Sequence, residues 1–174
     1  IYAEFVGGII LKIMYYLKKI KEIIFKPMVC EYPLYVQLEA TTYCNLKCKM
    51  CIRNENIKNP KHLTKEKFKI IYDEIKPLKL TLSGQGEPML NPDLFDMIKY
   101  SKSNGSAVMI PSNGTMLNKN DYAEKLVDSG LNTIKISIDS ARRRTFKKIR
   151  GEDCFDEIIE GIKRIMEIKS NFFE

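Results

Sequence analysis

The 174-residue chain is long enough for one domain whose core needs no covalent staples. With 44% hydrophobic and 29% charged residues, nine Gly and seven Pro, it is neither disordered nor collagen-like nor low in complexity. Lys and Arg number 29 against 22 Asp and Glu, a net charge of +7. No helix-length segment carries a basic stripe interleaved with aromatics, which argues against nucleic acid as the partner.

The first segment, residues 5–17, is apolar apart from Lys12. It is too short to span a bilayer and lacks the features of a signal peptide. Ile9, Ile13, Tyr16, Leu17, Ile20 and Ile24 recur at helical spacing, with Lys18, Lys19, Lys21 and Glu22 mostly off that face. Residues 1–33 therefore read as an amphipathic helix, ended by Pro27, and a linker. Its apolar face packs on the protein's own body or, with its lysines, touches a membrane surface.

From residue 34 onward the pattern predicts alternating strands and helices. Strands are expected at 34–38, 78–82, 107–110 and 134–138. Helices are expected at 64–76 with Thr64 as N-cap, from Asn91-Pro92-Asp93 to Ser103, at 119–129 and at 155–169. The last three strands recur about every 27 residues, the length of a βα unit, which implies right-handed crossovers and a parallel sheet.

Every unusual segment follows a strand. Cys44-Asn45-Leu46-Lys47-Cys48-Lys49-Met50-Cys51 comes after the first and Ser83-Gly84-Gln85-Gly86-Glu87-Pro88 after the second. Pro111-Ser112-Asn113-Gly114 comes after the third, and Ser137-Ile138-Asp139-Ser140 closes the fourth. Parallel strands point their C-termini the same way, so these segments share one rim, where α/β proteins place their active sites.

Of five cysteines, at 30, 44, 48, 51 and 154, three fall within eight residues as C-x3-C-x2-C. An odd count of clustered thiols without a secretion signal points to metal chemistry in a reducing compartment. Structural zinc wants four closed ligands, so three soft thiolates suit an iron–sulfur cluster with one open iron. The alternative is a non-catalytic iron–sulfur or zinc module with a basic surface, its site completed by Cys30, Cys154 or His62. Otherwise Cys30 and Cys154 read as small hydrophobes and His62 as an exposed loop residue.

The C-x3-C-x2-C loop, Gly86-Glu87-Pro88, Ser112-Asn113-Gly114 and Ser137-Ile138-Asp139, in order and at strand ends, resemble the radical S-adenosylmethionine (radical SAM) enzymes. The wording around them is closest to the SPASM/twitch branch, which includes peptide-maturation enzymes and the molybdenum-cofactor GTP cyclase. Met50 stands where many members carry an aromatic residue.

The resemblance implies a [4Fe–4S] cluster on Cys44, Cys48 and Cys51. S-adenosylmethionine would chelate the open iron and be cleaved reductively to a 5′-deoxyadenosyl radical that abstracts hydrogen from an unidentified substrate, a peptide or cofactor precursor among the options. Glu87 would accept hydrogen bonds from the cofactor's amino group, and Gly86 would let backbone approach it. Ser112 and Asn113 would bond its polar edge, Ser137 and Asp139 its ribose hydroxyls, or for Ser137 the carboxylate. Arg150 would pair with the methionyl carboxylate. Each also has a plainer reading: Glu87 as a turn cap, Asp139 or Ser140 as a helix cap, Arg150 as part of a solvated basic run with Arg142, Arg143 and Arg144.

An electron donor such as flavodoxin or ferredoxin and a cytoplasmic location are implied as well. Against the six strands of such a partial (βα) barrel, four are legible, so residues 34–174 read as a radical SAM core incomplete at its C-terminus. That predicts an open edge at the fourth strand, a cleft lacking one wall, and a chain that aggregates in isolation.

Overall fold

Residues 13–17, 19–21 and 33–171 are described by the computed structural model. Four strands, β1 (Tyr35–Leu38), β2 (Lys79–Leu82), β3 (Ala107–Ser112) and β4 (Thr133–Ile136), form one parallel sheet in chain order. The helices are α1 (Arg53–Asn56), α2 (Lys65–Ile75), α3 (Leu94–Ser103), α4 (Tyr122–Asp128), α5 (Arg143–Arg150) and α6 (Phe155–Asn171). This is the partial (βα) barrel that the strand spacing and the resemblance led us to expect.

Local chemistry explains the elements. Thr64 caps α2 by accepting from Lys67 N–H, and Lys76 ends that helix in the left-handed region at φ 43°. Phe68 and Tyr72, one turn apart, are the residues α2 buries. Asn91 does more than open α3, which begins at Leu94. Its Oδ1 accepts from Asp93 N–H (2.9 Å), while its Nδ2 donates to Ala40 O (2.6 Å) and Leu63 O (2.9 Å). A buried side-chain amide here ties the loop after β2 to the chain after β1.

The core lies between the sheet and its helices. Leu80, Leu82, Val108 and Ile110 from the central strands meet Phe68, Met97 and Ile98. Leu38 pairs with Leu82 and Ser112 with Ile136. The strand ends are therefore level, and the four following loops rise from one rim.

At β4 the residues alternate between exposed and half-buried, and among the described residues it pairs only with β3. Among the described residues its outer edge is therefore open. It is nonetheless less buried than its apolar composition suggests.

The described part of the N-terminal helix sits at the opposite rim and reverses one expectation. Ile13, Leu17 and Ile20 are about half exposed, whereas Lys19 is buried. Tyr15 Oη donates to Lys76 O, and Lys19 Nζ to Pro33 O at 3.1 Å. The described residues of this helix thus dock through a tyrosine and a lysine onto carbonyls, which satisfies backbone acceptors at the strand N-termini. Of the expected apolar face, Ile13, Leu17 and Ile20 point away from the body, while the Tyr16 hydroxyl lies beside Gly105. Ile9, Ile24 and Pro27 lie outside the described residues. No helix among the described residues is long and apolar enough to cross a membrane.

Candidate active site

A cavity of about 340 Å³ opens on the C-terminal rim of the sheet. The loop after β1 contributes Cys44, Cys48, Met50 and Cys51, and the loop after β2 contributes Gly84 through Glu87. Ser112 and Asn113 enter from the end of β3, Ser137 from the end of β4, and Arg150 from α5. Nine of the ten residues predicted for the site from sequence are brought together here; Asp139 is not among the lining residues.

The cysteine loop is held from beneath. Leu46 and Cys48 are buried with Phe146, Cys154 and Ile158 in a second apolar cluster, joined to the main core through Ile136 and Ile162. Lys49 N–H donates to Ile149 O (3.0 Å), and Cys51 N–H to Cys48 O (3.1 Å). Among the described residues no three His, Cys, Asp or Glu side chains are spaced to hold a single metal ion. A four-iron cube takes its thiolates at separate corners, so three thiols along one cavity wall suit it better than the tight tetrahedron of zinc.

Burial pushes the Cys44 thiol above its ordinary value, so its proton must leave when a metal centre binds. Cys154 is buried in the same apolar cluster as Cys48 but does not line the cavity, and Cys30 lies outside the described residues. His62 is exposed, stacks on Tyr43 with ring centroids 4.4 Å apart, and shares a hydrogen bond with Thr41 Oγ1 (2.9 Å). It is a loop residue, as expected.

Glu87 is the hub of the site. Its Oε1 accepts from Ser112 Oγ (2.8 Å) and Met89 N–H (3.2 Å), and its Oε2 from Asn113 N–H (2.6 Å). It does cap the turn Pro88–Leu90, but it also fixes the end of β3. A carboxylate has about four acceptor positions, so one remains on Oε2 for a donor in the cavity. Burial holds the Glu87 carboxyl above the usual glutamate range, against the opposing pull of these hydrogen bonds and of Arg150.

Gly86 is required by space. A Cβ there would lie 2.1 Å from Thr41 O and 2.6 Å from Tyr43 O, so the loop after β2 threads directly against the loop after β1. Glu87 N–H donates to Tyr43 O across the same junction (2.7 Å).

Sequence reasoning missed three residues that shape this rim. Glu39 Oε1 accepts from Gln85 N–H at 2.5 Å and fills the space beside Gly84. Asn45 accepts from Asn113 Nδ2 (2.9 Å) and donates to Thr115 Oγ1 (2.8 Å). Thr115 in turn donates to Asn113 Oδ1 (2.7 Å). The position of Asn45 between two cysteines was the available signal; nothing in the sequence marked Glu39.

The plainer reading of Arg150 and the placement of Asp139 require correction. Arg150 belongs to no solvated basic face: it is buried, with Nη2 donating to Ser137 O (2.9 Å) and Nη1 3.6 Å from Cys48 Sγ. Its Nε lies 2.5 Å from Asp139 Oδ2 as a charge contact without a straight hydrogen bond. The strand ends at Ile136, so the alternation that would have turned Asp139 to the same side as Ser137 no longer applies. Asp139 neutralises Arg150 instead of lining the cavity.

A family model described as the radical SAM superfamily matches residues 38–172. The chain is 32% identical over 132 residues to a probable GTP 3',8-cyclase of Pyrococcus horikoshii, covering 74% of this chain and 42% of that protein. It is 34% identical over 137 residues to an AdoMet-dependent heme synthase of Methanosarcina barkeri, covering 75% and 38%. The chain thus spans about two-fifths of the length of these curated relatives. In fold it is similar to Streptococcus suis SuiB bound to S-adenosylmethionine, with a TM-score of 0.70 at 21% identity over 84% of this chain and 34% of that one. It is also similar to TYW1 with a lysine-pyruvate adduct bound, with a TM-score of 0.58 at 24% identity over 79% and 52%.

Proposed function

This chain belongs to the radical SAM superfamily, and we propose that it binds a [4Fe–4S] cluster through Cys44, Cys48 and Cys51 and cleaves S-adenosylmethionine reductively. The observation that carries this reading is the single cavity lined by all three thiols and by Glu87, Asn113, Ser137 and Arg150. Held by these thiols, the cluster would supply the single electron for breaking the cofactor's carbon–sulfur bond, the chemistry that starts hydrogen abstraction from a substrate.

The chain's own residues prepare the site. Glu87 offers its remaining acceptor position to the cofactor's cationic amino group, a charge-assisted bond in a place from which water is largely removed. Arg150 carries its positive charge into the same wall beside Cys48 and is suited to the methionyl carboxylate. Ser137 presents a hydroxyl at the end of β4 for the ribose, and Met50 an apolar side chain for the adenine. Asn113 and Asn45 lock the Cys44 side of the loop to β3. Asp139 acts through Arg150.

The partners we propose are a low-potential donor of the flavodoxin or ferredoxin class and a substrate admitted through the open side of the cavity, in a reducing, cytoplasmic setting. The exposed Ile13, Leu17 and Ile20 favour a further contact of the N-terminal helix with a membrane surface.

The test is anaerobic reconstitution followed by a dithionite-driven assay for 5′-deoxyadenosine. Wild type should show the visible absorption of a cluster and form the product. Cys44→Ala, Cys48→Ala and Cys51→Ala should lose both, and Cys154→Ala should keep both. A cluster that forms without cofactor cleavage in the full protein would favour the binding-module alternative.

A further inference from the structure

Helix α5 is cationic at both ends, which the helix dipole favours at its C-terminus and opposes at its N-terminus. Its sequence, Arg-Arg-Thr-Phe-Lys-Lys-Ile-Arg, holds no acid, its N-cap Arg142 makes no side-chain cap, and two arginines occupy the first turn. Cations at a helix N-terminus oppose the helix dipole and cost local stability. Three of the six cations from Arg142 to Arg150 are balanced: Arg143 by Asp153 and Asp156, Lys147 by Asp153, and Arg150 by Asp139. Arg142, Arg144 and Lys148 are exposed and have no carboxylate partner among the described residues. Arg144 and Lys148 stand one turn apart on the same outward ridge.

The C-terminal end of α5 adjoins the cysteine loop. Lys49 is bonded backbone to backbone to Ile149, Lys47 O lies 3.1 Å from where a Gly151 Cβ would be, and Arg150 touches Cys48 Sγ. Lys47 and Lys49 are themselves exposed and unpaired among the described residues, and Ile52 beyond them is 62% exposed. Exposed cations with an apolar neighbour thus stand on α5 and on the loop it adjoins, the loop whose thiols line the cavity.

We propose that the surface made by Arg142, Arg144 and Lys148 of the α5 segment with Lys47 and Lys49 of the cysteine loop is the docking site for an acidic one-electron donor protein of the flavodoxin or ferredoxin class. The inference rests on the reading above that the thiols hold a reducible cluster. One electron passes from the reduced donor to the oxidised cluster, and the donor leaves oxidised by one electron; no proton or bond is exchanged. Charge complementarity selects the occupant, because unpaired cations steer an acidic partner and leave the substrate side of the cavity clear.

The test uses the full reconstituted protein and the double variant Arg144→Glu/Lys148→Glu. Formation of 5′-deoxyadenosine is measured with dithionite and, separately, with reduced flavodoxin at low and high salt. The dithionite-driven rate should stay within about twofold of wild type, while the flavodoxin-driven rate at low salt should fall about tenfold and lose its salt dependence. A remote control of equal charge change, Lys67→Glu/Lys163→Glu, should leave both rates unchanged. Equal flavodoxin-driven rates in wild type and the Arg144/Lys148 variant, or an equal loss in the remote control, would overturn the docking site. So would a variant that loses binding to a tRNA probe yet keeps its flavodoxin-driven rate. If wild type with a formed cluster yields no product even with dithionite, the functional reading itself fails, an outcome distinct from failure of the docking site.

Discussion

Replacing Glu87 tests whether one carboxylate both builds the site and binds there. Glu87→Ala removes the acceptor of Asn113 N–H, Met89 N–H and Ser112 Oγ, all in buried residues. The Ser112 hydroxyl can turn to Met89 Sδ, 3.4 Å away, which leaves two orphaned backbone donors. At about 1–3 kcal/mol for each buried donor, the loss should be roughly 3 kcal/mol, partly offset because a costly buried carboxyl is removed. Glu87→Gln keeps Oε1 but sets an NH₂ against Asn113 N–H, so it should lose about half as much. Urea unfolding followed by circular dichroism measures both.

The pH dependence adds an independent sign. The Glu87 carboxyl binds its proton more tightly folded than unfolded, so stability from this group is full below the unfolded value near 4.5. It is lost as pH rises through the raised folded value. The Gln variant should lack that decline. S-adenosylmethionine should bind both variants about 10- to 150-fold more weakly, measured by calorimetry, for the loss of one charge-assisted bond of roughly 1.5–3 kcal/mol. An alanine variant as stable as wild type, with the same decline from pH 4.5 upward, would refute the hub described here.

Gly86→Ala places a methyl against the Thr41 and Tyr43 carbonyls, and backbone cannot yield as a side-chain tip can; cofactor binding should be lost and the thermal midpoint should drop. Arg150→Ala should cost about 2 kcal/mol by denaturant titration, less than for a fully buried pair because Asp139 is partly exposed. Arg150→Lys should recover little, since a single ammonium cannot reach Ser137 O, Asp139 and the cavity at once. Cluster loading, followed by visible absorption, should rise from pH 7 to 8.5, because burial holds the Cys44 thiol protonated and ligation must release that proton.

The sequence made the strand order and the shared rim legible because both follow from short-range signals: apolar runs, turn residues, and the length of a βα unit. The cysteine loop and Glu87 were legible for the same reason. What escaped depended on contacts far apart in the chain. Arg150 was singled out only through the resemblance, since by composition it sits in a run of cations; its burial follows from the face of α5 that also packs Phe146 on Phe155. Asp139 seemed to share a face with Ser137 because a strand was extended two residues beyond its end. The N-terminal stripe suggested a buried face, yet carbonyl acceptors at Pro33 and Lys76 drew Lys19 and Tyr15 inward instead. Asn91 looked like a helix cap, but bonds to Ala40 and Leu63 make it a clamp.

The threading of Gly86 against Thr41 and Tyr43 also determines how the mouth of the cavity breathes. With no side chain between them, and with Glu87 N–H bonded to Tyr43 O, neither loop can lift without the other. The bond from Lys49 to Ile149 adds the end of α5 to the same unit. The amides of Lys49, Cys51 and Glu87 should therefore exchange with solvent deuterium through one shared opening, with a common free energy. A ligand that grips any one of the three segments would slow exchange in all of them, so the entrance behaves as a single cooperative gate and not as independent flaps.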